Sequence, residues 1–291
     1  IERHNHRGHV GDIFYGKVVR VMPGMEAAFV DIGLEKAAFI HASDIAAIDA
    51  DGFEVRDAQP QSIQQLLREG QFIVVQVAKD AISTKGARLT THLTLPSRNL
   101  VYLPRSKHVG LSQRLEDEQE RQRLMEQLQH SLERESWEEC GGFIVRTAAE
   151  GVTADEFSED IRYLHRLWLK VNQRIEKTKK ISTVYREEPL YMRIVRDLIS
   201  PQVEKIRVDS GHSQKEIKQF LQDFIPESVA KLEAYGGDRP LFDLFGIEGE
   251  INKALGRQVM LKSGGDLIID QTEAMTTIDV NTGGYIGSKN H

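Results

Sequence analysis

The nine residues Met25-Glu26-Ala27-Ala28-Phe29-Val30-Asp31-Ile32-Gly33 decide how the first third of the chain folds. Successive side chains of a strand point to opposite faces, so Ala28, Val30 and Ile32 make an apolar face while Phe29 shares the other with Asp31. Around this segment, Asp12 to Val21, Ala37 to Ile40 and Gln71 to Val77 are rich in β-branched and aromatic residues, and Pro23-Gly24 and Gly33 supply turns. These runs predict a small β-barrel, with Ala46 to Gly70 as an inserted loop and short helix. An aromatic on the polar face of such a barrel is a stacking platform for an unpaired base, the mode in which OB-type barrels bind single strands. The competing reading makes Phe29 barrel core. Phe39 carries the same two readings. Lys85, in the loop Ser83-Thr84-Lys85-Gly86-Ala87-Arg88, either meets a phosphate backbone or is a solvated loop lysine.

The 291 residues suffice for two or more domains, each with its own core. No apolar run approaches the roughly 20 residues of a membrane-spanning helix, and no signal-peptide pattern opens the chain, so a soluble protein is expected. The single cysteine, Cys140, excludes an internal disulfide framework and fits a reducing, cytoplasmic compartment. A net charge of −6 argues against a protein that coats nucleic acid nonspecifically, because phosphate neutralisation needs Lys and Arg in quantity. The chain opens on Ile1 rather than Met and stops soon after a Gly-rich turn, and both ends read as cut.

From Leu111 the composition changes. Gln113 to Glu139 is strongly charged, with Leu124, Leu128 and Leu132 at four-residue spacing, and predicts one amphipathic helix ended by Gly141-Gly142. Phe143-Ile144-Val145 is a buried strand that delivers Arg146 and Thr147 into a loop. A guanidinium fork and a hydroxyl suit a terminal phosphate, and the alternative is an Arg paired with a surface carboxylate. The next helix buries Phe157, Ile161, Leu164, Trp168, Val171 and Ile175. Its other face carries Arg162, Arg166, Lys170 and Arg174, which either track a phosphate backbone or form a solvated face with acidic partners. Pro189 to Ile199 and Gln214 to Ile225 are helices around a strand at Lys205 to Asp209, and Ile247, Ile251 and Leu255 mark one face of another helix. His4, His6 and His9 are too irregularly spaced to be ligands.

Near the end of the chain, Gln258 to Lys262 pairs with Asp266 to Asp270 as a hairpin. Beyond it, Met275-Thr276-Thr277-Ile278-Asp279-Val280-Asn281 alternates, so Ile278 and Val280 are expected in the core and Thr277, Asp279 and Asn281 on the other face. Asp279 and Asn281, with Asp270 and Glu273 near by in sequence, suit a hard cation such as Mg²⁺ that keeps several waters and binds substrate phosphate. The competing reading is a solvated sheet face ending in a turn-forming Asn-Thr-Gly.

Three segments, Met25 to Gly33, Gly142 to Gly151 and Ile269 to Asn281, together resemble the RNase E/RNase G family of bacterial endoribonucleases, in that family's order. Lys85-Gly86-Ala87-Arg88-Leu89-Thr90-Thr91, Asp209-Ser210 and Phe242-Asp243-Leu244-Phe245 bring the likeness closest to the RNase G type. The resemblance implies an α+β multidomain protein. Its parts would be an OB-fold RNA-binding barrel over 1–91, an α/β 5′-phosphate sensor domain over 92–188, part of an RNase H-like α/β domain over 189–255, and the start of a DNase I-like catalytic domain over 256–291. It also implies that Phe29, Phe39 and Lys85 grip RNA, that Arg146 and Thr147 sense the phosphate with Val101 lining the pocket, and that Asp279 binds Mg²⁺ with Asn281 beside it.

The function so implied is single-strand-specific endoribonuclease activity, stimulated by a 5′-monophosphate, in rRNA and tRNA processing and mRNA decay. A Mg²⁺-bound water would attack phosphorus in line. The family's second metal-binding Asp, a further sensor Arg and the Cys pair that shares Zn²⁺ between subunits of a homodimer or higher assembly would lie beyond residue 291. A piece of this length is therefore expected to bind RNA better than it cuts it. The alternative is a noncatalytic RNA-binding or scaffold protein in which the acidic strand is only a sheet face.

Overall fold

The β-branched run from Ile13 to Met22 forms strand β1 (Ile13–Met22), which turns through Pro23–Met25 into β2 (Ala27–Asp31) and then β3 (Ala38–His41). After the short helix α1 (Ile63–Leu66), β4 (Phe72–Lys79) and β5 (Arg88–Thr90) complete the wall. In this computed structural model the residues described are 7–55, 59, 61–82, 85–137, 141–199, 202–272 and 275–284. The order β1-β2-β3-β5-β4 closes because β4 pairs back onto β1. All these pairings are antiparallel except β3 with β5.

Phe14, Val18, Ala28, Val30, Ile40, Val75, Val77 and Leu89 fill the barrel, and Ile63 and Leu67 pack into the same core from the α1 segment. The Glu26 carboxylate accepts the Ile63 amide at 2.8 Å, so the β1–β2 turn caps the helix. The fifth strand, β5, falls where the sequence reading has the end of a loop. Three residues reading Arg-Leu-Thr are too short to show a period, and only the fully buried Leu89 marks them as wall.

A second sheet follows, built from β6 (Leu95–Pro96), β7 (Leu100–Leu103), β8 (Val109–Leu111) and β9 (Gly142–Val145), in the order β6-β7-β9-β8. Between β8 and β9 runs helix α2 (Glu118–Arg134), N-capped by Asp117, whose carboxylate accepts the Gln119 amide. Helix α3 (Ala154–Lys177) starts in a capping box made by Thr153 and Glu156. Leu124, Leu128 and Leu132 of α2 and Phe157, Ile161 and Leu164 of α3 are buried with the Tyr102, Trp137 and Phe143 rings, whose centroids lie 5.2–6.4 Å apart. Strand β10 (Ser182–Tyr185) returns to pair with β1, and α4 (Leu190–Leu198) follows.

The chain clusters into two units, Ile1–Gln202 with Leu221–Pro226 and Val203–Phe220 with Glu227–His291. In the second part of the chain, β11 (Ile206–Val208), α5 (Gly211–Phe224) and β12 (Leu232–Ala234) form a parallel crossover. Helices α6 (Leu241–Leu244) and α7 (Ile247–Ala254) lead into an antiparallel sheet of β13 (Gln258–Met260), β14 (Asp266–Gln271) and β15 (Thr276–Asn281).

The expected core positions on β15 are not buried: Ile278 is 59% and Val280 67% exposed. Alternation does sort Ile278 and Val280 from Asp279 and Asn281, but burial needs a covering layer, and all six residues of β15 are exposed. The Ile247 and Leu255 side chains are exposed for the same reason.

At the β3–β5 junction Gly86 passes so close to Ala37 that an added Cβ would collide with the Ala37 carbonyl oxygen. Gly86→Ala must therefore push the two strands apart, and is expected to destabilise the protein by about 1–3 kcal/mol, the usual cost of overpacking. Thermal melting measures it, and an unchanged melting temperature would contradict this packing.

Candidate functional site

Filling the barrel with Ala28 and Val30 leaves Phe29 outside, 37% exposed. The β2–β3 register sets Phe29 directly opposite Phe39, so both rings project from the same face of the wall. They line a hollow of about 540 Å³ together with Lys85, Lys36, Met22 and Met25. The three positions the sequence reading singled out are thus brought together, and Phe29 is not core. Lys36 and the two methionines were missed. Met22 and Met25 flank the β1–β2 turn, where soft, adaptable side chains can follow an irregular ligand surface, but nothing in their spacing distinguishes them from ordinary turn residues.

A second hollow, of about 550 Å³, is lined by Arg146 and Val101. The Arg146 guanidinium donates to the carbonyl oxygens of Ser97 and Arg98, the latter at 3.0 Å, and lies 3.7 Å from the Asp197 carboxylate. The Arg146 amide donates to Asn99 O at 2.8 Å, and the Asn99 amide in turn donates to the Asp160 carboxylate at 2.7 Å. Asp160 therefore holds the loop that holds the arginine. Burial is the main influence on its carboxyl and pushes it up to about 6, against the opposing pull of the Asn99 and Ser97 hydrogen bonds. Thr147, exposed at the start of the turn Thr147–Ala149, lies outside the wall of this hollow. Asp160 was missed because a carboxylate early in a charged amphipathic helix reads as solvated.

On the last strand, Asn281 stands opposite Asp266, Asp279 opposite Ile268 and Thr277 opposite Asp270, so these side chains share one face. The Asn281 amide donates to Asp266 at 3.4 Å and the Gln258 amide to the same carboxylate at 3.0 Å. Asp270 is taken by a bidentate pair with Arg257 at 2.6 and 2.7 Å, which holds its carboxyl below the usual range. Asp266, not Asp270, is thus the carboxylate beside Asn281. Glu273 lies outside the described residues. Among the described residues no group of three or more His, Cys, Asp or Glu side chains is placed to hold a metal ion. The donor set of Asp279, Asn281 and Asp266 is all hard oxygen, which fits Mg²⁺ and its retained waters and does not fit a softer ion.

The basic face of α3 is engaged by partners. Arg162 pairs with Glu135 at 2.7 Å, Lys170 with Asp223 at 3.0 Å, Arg166 donates to Phe224 O and Arg174 to Val184 O. Two of the four thus have the acidic partners of the solvated-face reading, and the other two donate to backbone carbonyls instead. His9 pairs with Asp12 at 2.9 Å, and His4, His6 and Cys140 lie outside the described residues. No helix among the described residues is long and apolar enough to cross a membrane.

The family model described as "Ribonuclease E/G family" matches residues 94–291, and that described as "S1 RNA binding domain" matches residues 9–86. Among curated proteins the chain is 52% identical over 292 residues to Ribonuclease G of Haemophilus influenzae, covering all of this chain and 58% of that protein. To Ribonuclease G of Escherichia coli it is 51% identical over 297 residues, covering all of this chain and 59% of the relative. To Ribonuclease E of a Nostoc species it is 36% identical over 288 residues, covering 97% of this chain and 40% of the relative. The chain thus spans about three-fifths of the length of the Ribonuclease G proteins it matches.

The Asp160 carboxyl gives a pH signature. Its folded pKa is raised above the ordinary aspartate value, so the folded protein binds more protons than the unfolded chain between the two, and its contribution to stability is lost as pH rises through about 6. Asp160→Asn keeps an acceptor for the Asn99 amide without the charge. Its melting temperature relative to the parent protein should therefore rise between about pH 4 and pH 7, and a difference that does not change with pH would contradict the shift.

Proposed function

Because the chain belongs to the ribonuclease E/G family, we propose that the protein is a cytoplasmic endoribonuclease of the RNase G type, acting on single-stranded RNA that bears a 5′-monophosphate. The observation that carries this reading is the cross-strand pair Phe29–Phe39 with Lys85 on one hollow of an S1-type barrel. Two rings on one face offer successive bases a stacking surface, each base worth about 1–3 kcal/mol, and the lysine supplies charge for the backbone. The grip selects unpaired strands, since a base within a duplex already stacks on its neighbours.

The 5′ end is read in the hollow around Arg146. The Ser97 and Arg98 carbonyls fix the guanidinium, and a terminal phosphate provides the charge-assisted acceptors that such a fork fits. A 5′-hydroxyl provides none. Thr147, next in the chain to Arg146 but outside the wall, would add its hydroxyl from there, and Val101, which lines the hollow, packs beside the first nucleotide. Engaging this end and the barrel together holds the strand at two points, which fixes where along it the reaction falls.

Asp279 and Asn281 are the residues that would hold Mg²⁺, with Asp266 orienting Asn281 through its amide. When bound, the ion supplies an activated water and offsets the charge that develops on the scissile phosphate. Zinc and the subunit assembly enter this proposal only through the family pattern. The same holds for rRNA and tRNA precursors and mRNA as substrates.

The test uses the intact protein and a short single-stranded RNA carrying a 5′-monophosphate. Asp279→Asn is expected to abolish Mg²⁺-dependent cleavage, a loss of several kcal/mol of transition-state stabilisation, while leaving RNA affinity within about twofold. Undiminished turnover of the variant at saturating Mg²⁺ would remove Asp279 from the metal site. Absence of cleavage by the unaltered protein would leave an RNA-binding protein without catalysis.

A further inference from the structure

A neighbouring stretch of the barrel wall carries a second aromatic pair. Tyr15 of β1 and Phe72 of β4 stack with centroids 5.2 Å apart and planes within 12°, and the Lys17 ammonium lies 5.9 Å from the Phe72 ring centre. Phe72 is 38% exposed, although its neighbour Ile73 is buried in the barrel core. The pair borders a hollow of about 490 Å³, a volume within the range of small-ligand sites, whose wall also includes Gln65, Gln71 and Arg105. Arg105 has no carboxylate within 4 Å among the described residues. The acid that acts on it, Glu54, makes its ion pair with His92 instead, at 3.1 Å. Burial is the main influence on the Arg105 guanidinium and lowers its pKa, so a cation is being held where its charge is poorly compensated.

The register relates this hollow to the Phe29–Phe39 face. On β1, Arg20 stands opposite Phe29 and Lys17 opposite Phe72, three residues or roughly 10 Å further along the strand. Both basic side chains are exposed, and neither has a carboxylate within 4 Å among the described residues. A line of positive charge therefore runs along β1 from one aromatic pair to the other and ends at a half-buried guanidinium.

We propose that the Tyr15–Phe72 hollow is a second subsite for single-stranded RNA, in which one unpaired base packs against the aromatic pair and its phosphate meets Arg105. The inference rests on the reading of the barrel as the RNA grip. Its occupant is the strand already held at Phe29 and Phe39, continued along Arg20 and Lys17. A charged backbone with flat, unpaired bases complements this alternation of cations and rings, and single OB-type folds hold from about 4 to 16 nucleotides.

The experiment measures the affinity of the intact protein for single-stranded RNAs of about 5 and about 16 nucleotides, lengths chosen to occupy one subsite or both. The Tyr15→Ala/Phe72→Ala double variant and, separately, Arg105→Gln are each expected to weaken the longer RNA by about tenfold and leave the shorter one unchanged. Phe72→Trp should retain the affinity of the parent protein. Phe29→Ala should weaken both lengths. Because Arg105→Gln leaves the aromatic pair in place, it keeps the test valid if the double variant does not fold.

Unchanged affinity of the double variant and of Arg105→Gln for the longer RNA, with Phe29→Ala impaired, would overturn the subsite and leave the first grip standing. If the unaltered protein binds neither RNA, the RNA reading of the barrel falls and this inference with it. Lost self-association in the double variant with unchanged RNA affinity would assign the pair to an interface between copies of the chain, which also overturns the proposal.

Discussion

Closing five strands around one apolar core is the constraint on which the rest of the barrel depends. Each fully buried Val, Ile, Leu or Phe contributes about 1.5–3 kcal/mol, and Phe14, Val18, Val30, Ile40, Val75 and Leu89 all draw on that term at once. Because the side-chain period of a strand is two, a slip of one residue in β2 would bury Phe29 and expose Val30. The outward position of Phe29 is therefore fixed by its neighbours. The same reasoning fixes Phe39 through Ala38 and Ile40, and Lys17 through Gly16 and Val18. The faces offered to a ligand are by-products of packing the inside.

A comparable dependence governs Arg146. Its guanidinium is held by two backbone carbonyls, and hydrogen bonds to a charged group contribute about 1.5–3 kcal/mol each. The Asp197 contact, at 3.7 Å between partly exposed side chains, belongs with ion pairs worth about 0–1 kcal/mol. The fork is thus oriented by the loop and only loosely neutralised, so an arriving anion has little to displace. The orientation in turn depends on Asp160, which ties down the next amide of that loop.

Much of this was legible in the sequence where a period marks it. The β1, β2 and β4 runs each place a strand within two residues of its observed ends, and the four-residue leucine spacing marks α2, which is five residues shorter at each end than the charged run Gln113 to Glu139. Strand β5 was not legible, since three residues cannot show alternation and its neighbours Lys85 and Gly86 read as loop. On β15 the pattern correctly separated Ile278 and Val280 from Asp279 and Asn281 but could not show that neither face is covered. At the sites, Phe29, Phe39 and Lys85 stood out as types against their setting. Asp160, Asp266 and Arg105 did not, because a charged residue on a helix, strand or loop looks solvated until the fold brings a carbonyl, an amide or a ring beside it.

If the outward rings of the closed barrel hold unpaired RNA, ring-selective NMR of the phenylalanines will show it. The intact protein would be titrated with a single-stranded oligoribonucleotide and, separately, with the same sequence as a duplex. The Phe29 and Phe39 ring resonances are expected to shift with the single strand and not with the duplex, while those of buried Phe14 stay in place. Saturation by the single strand with the Phe29 and Phe39 resonances unmoved would contradict the RNA grip.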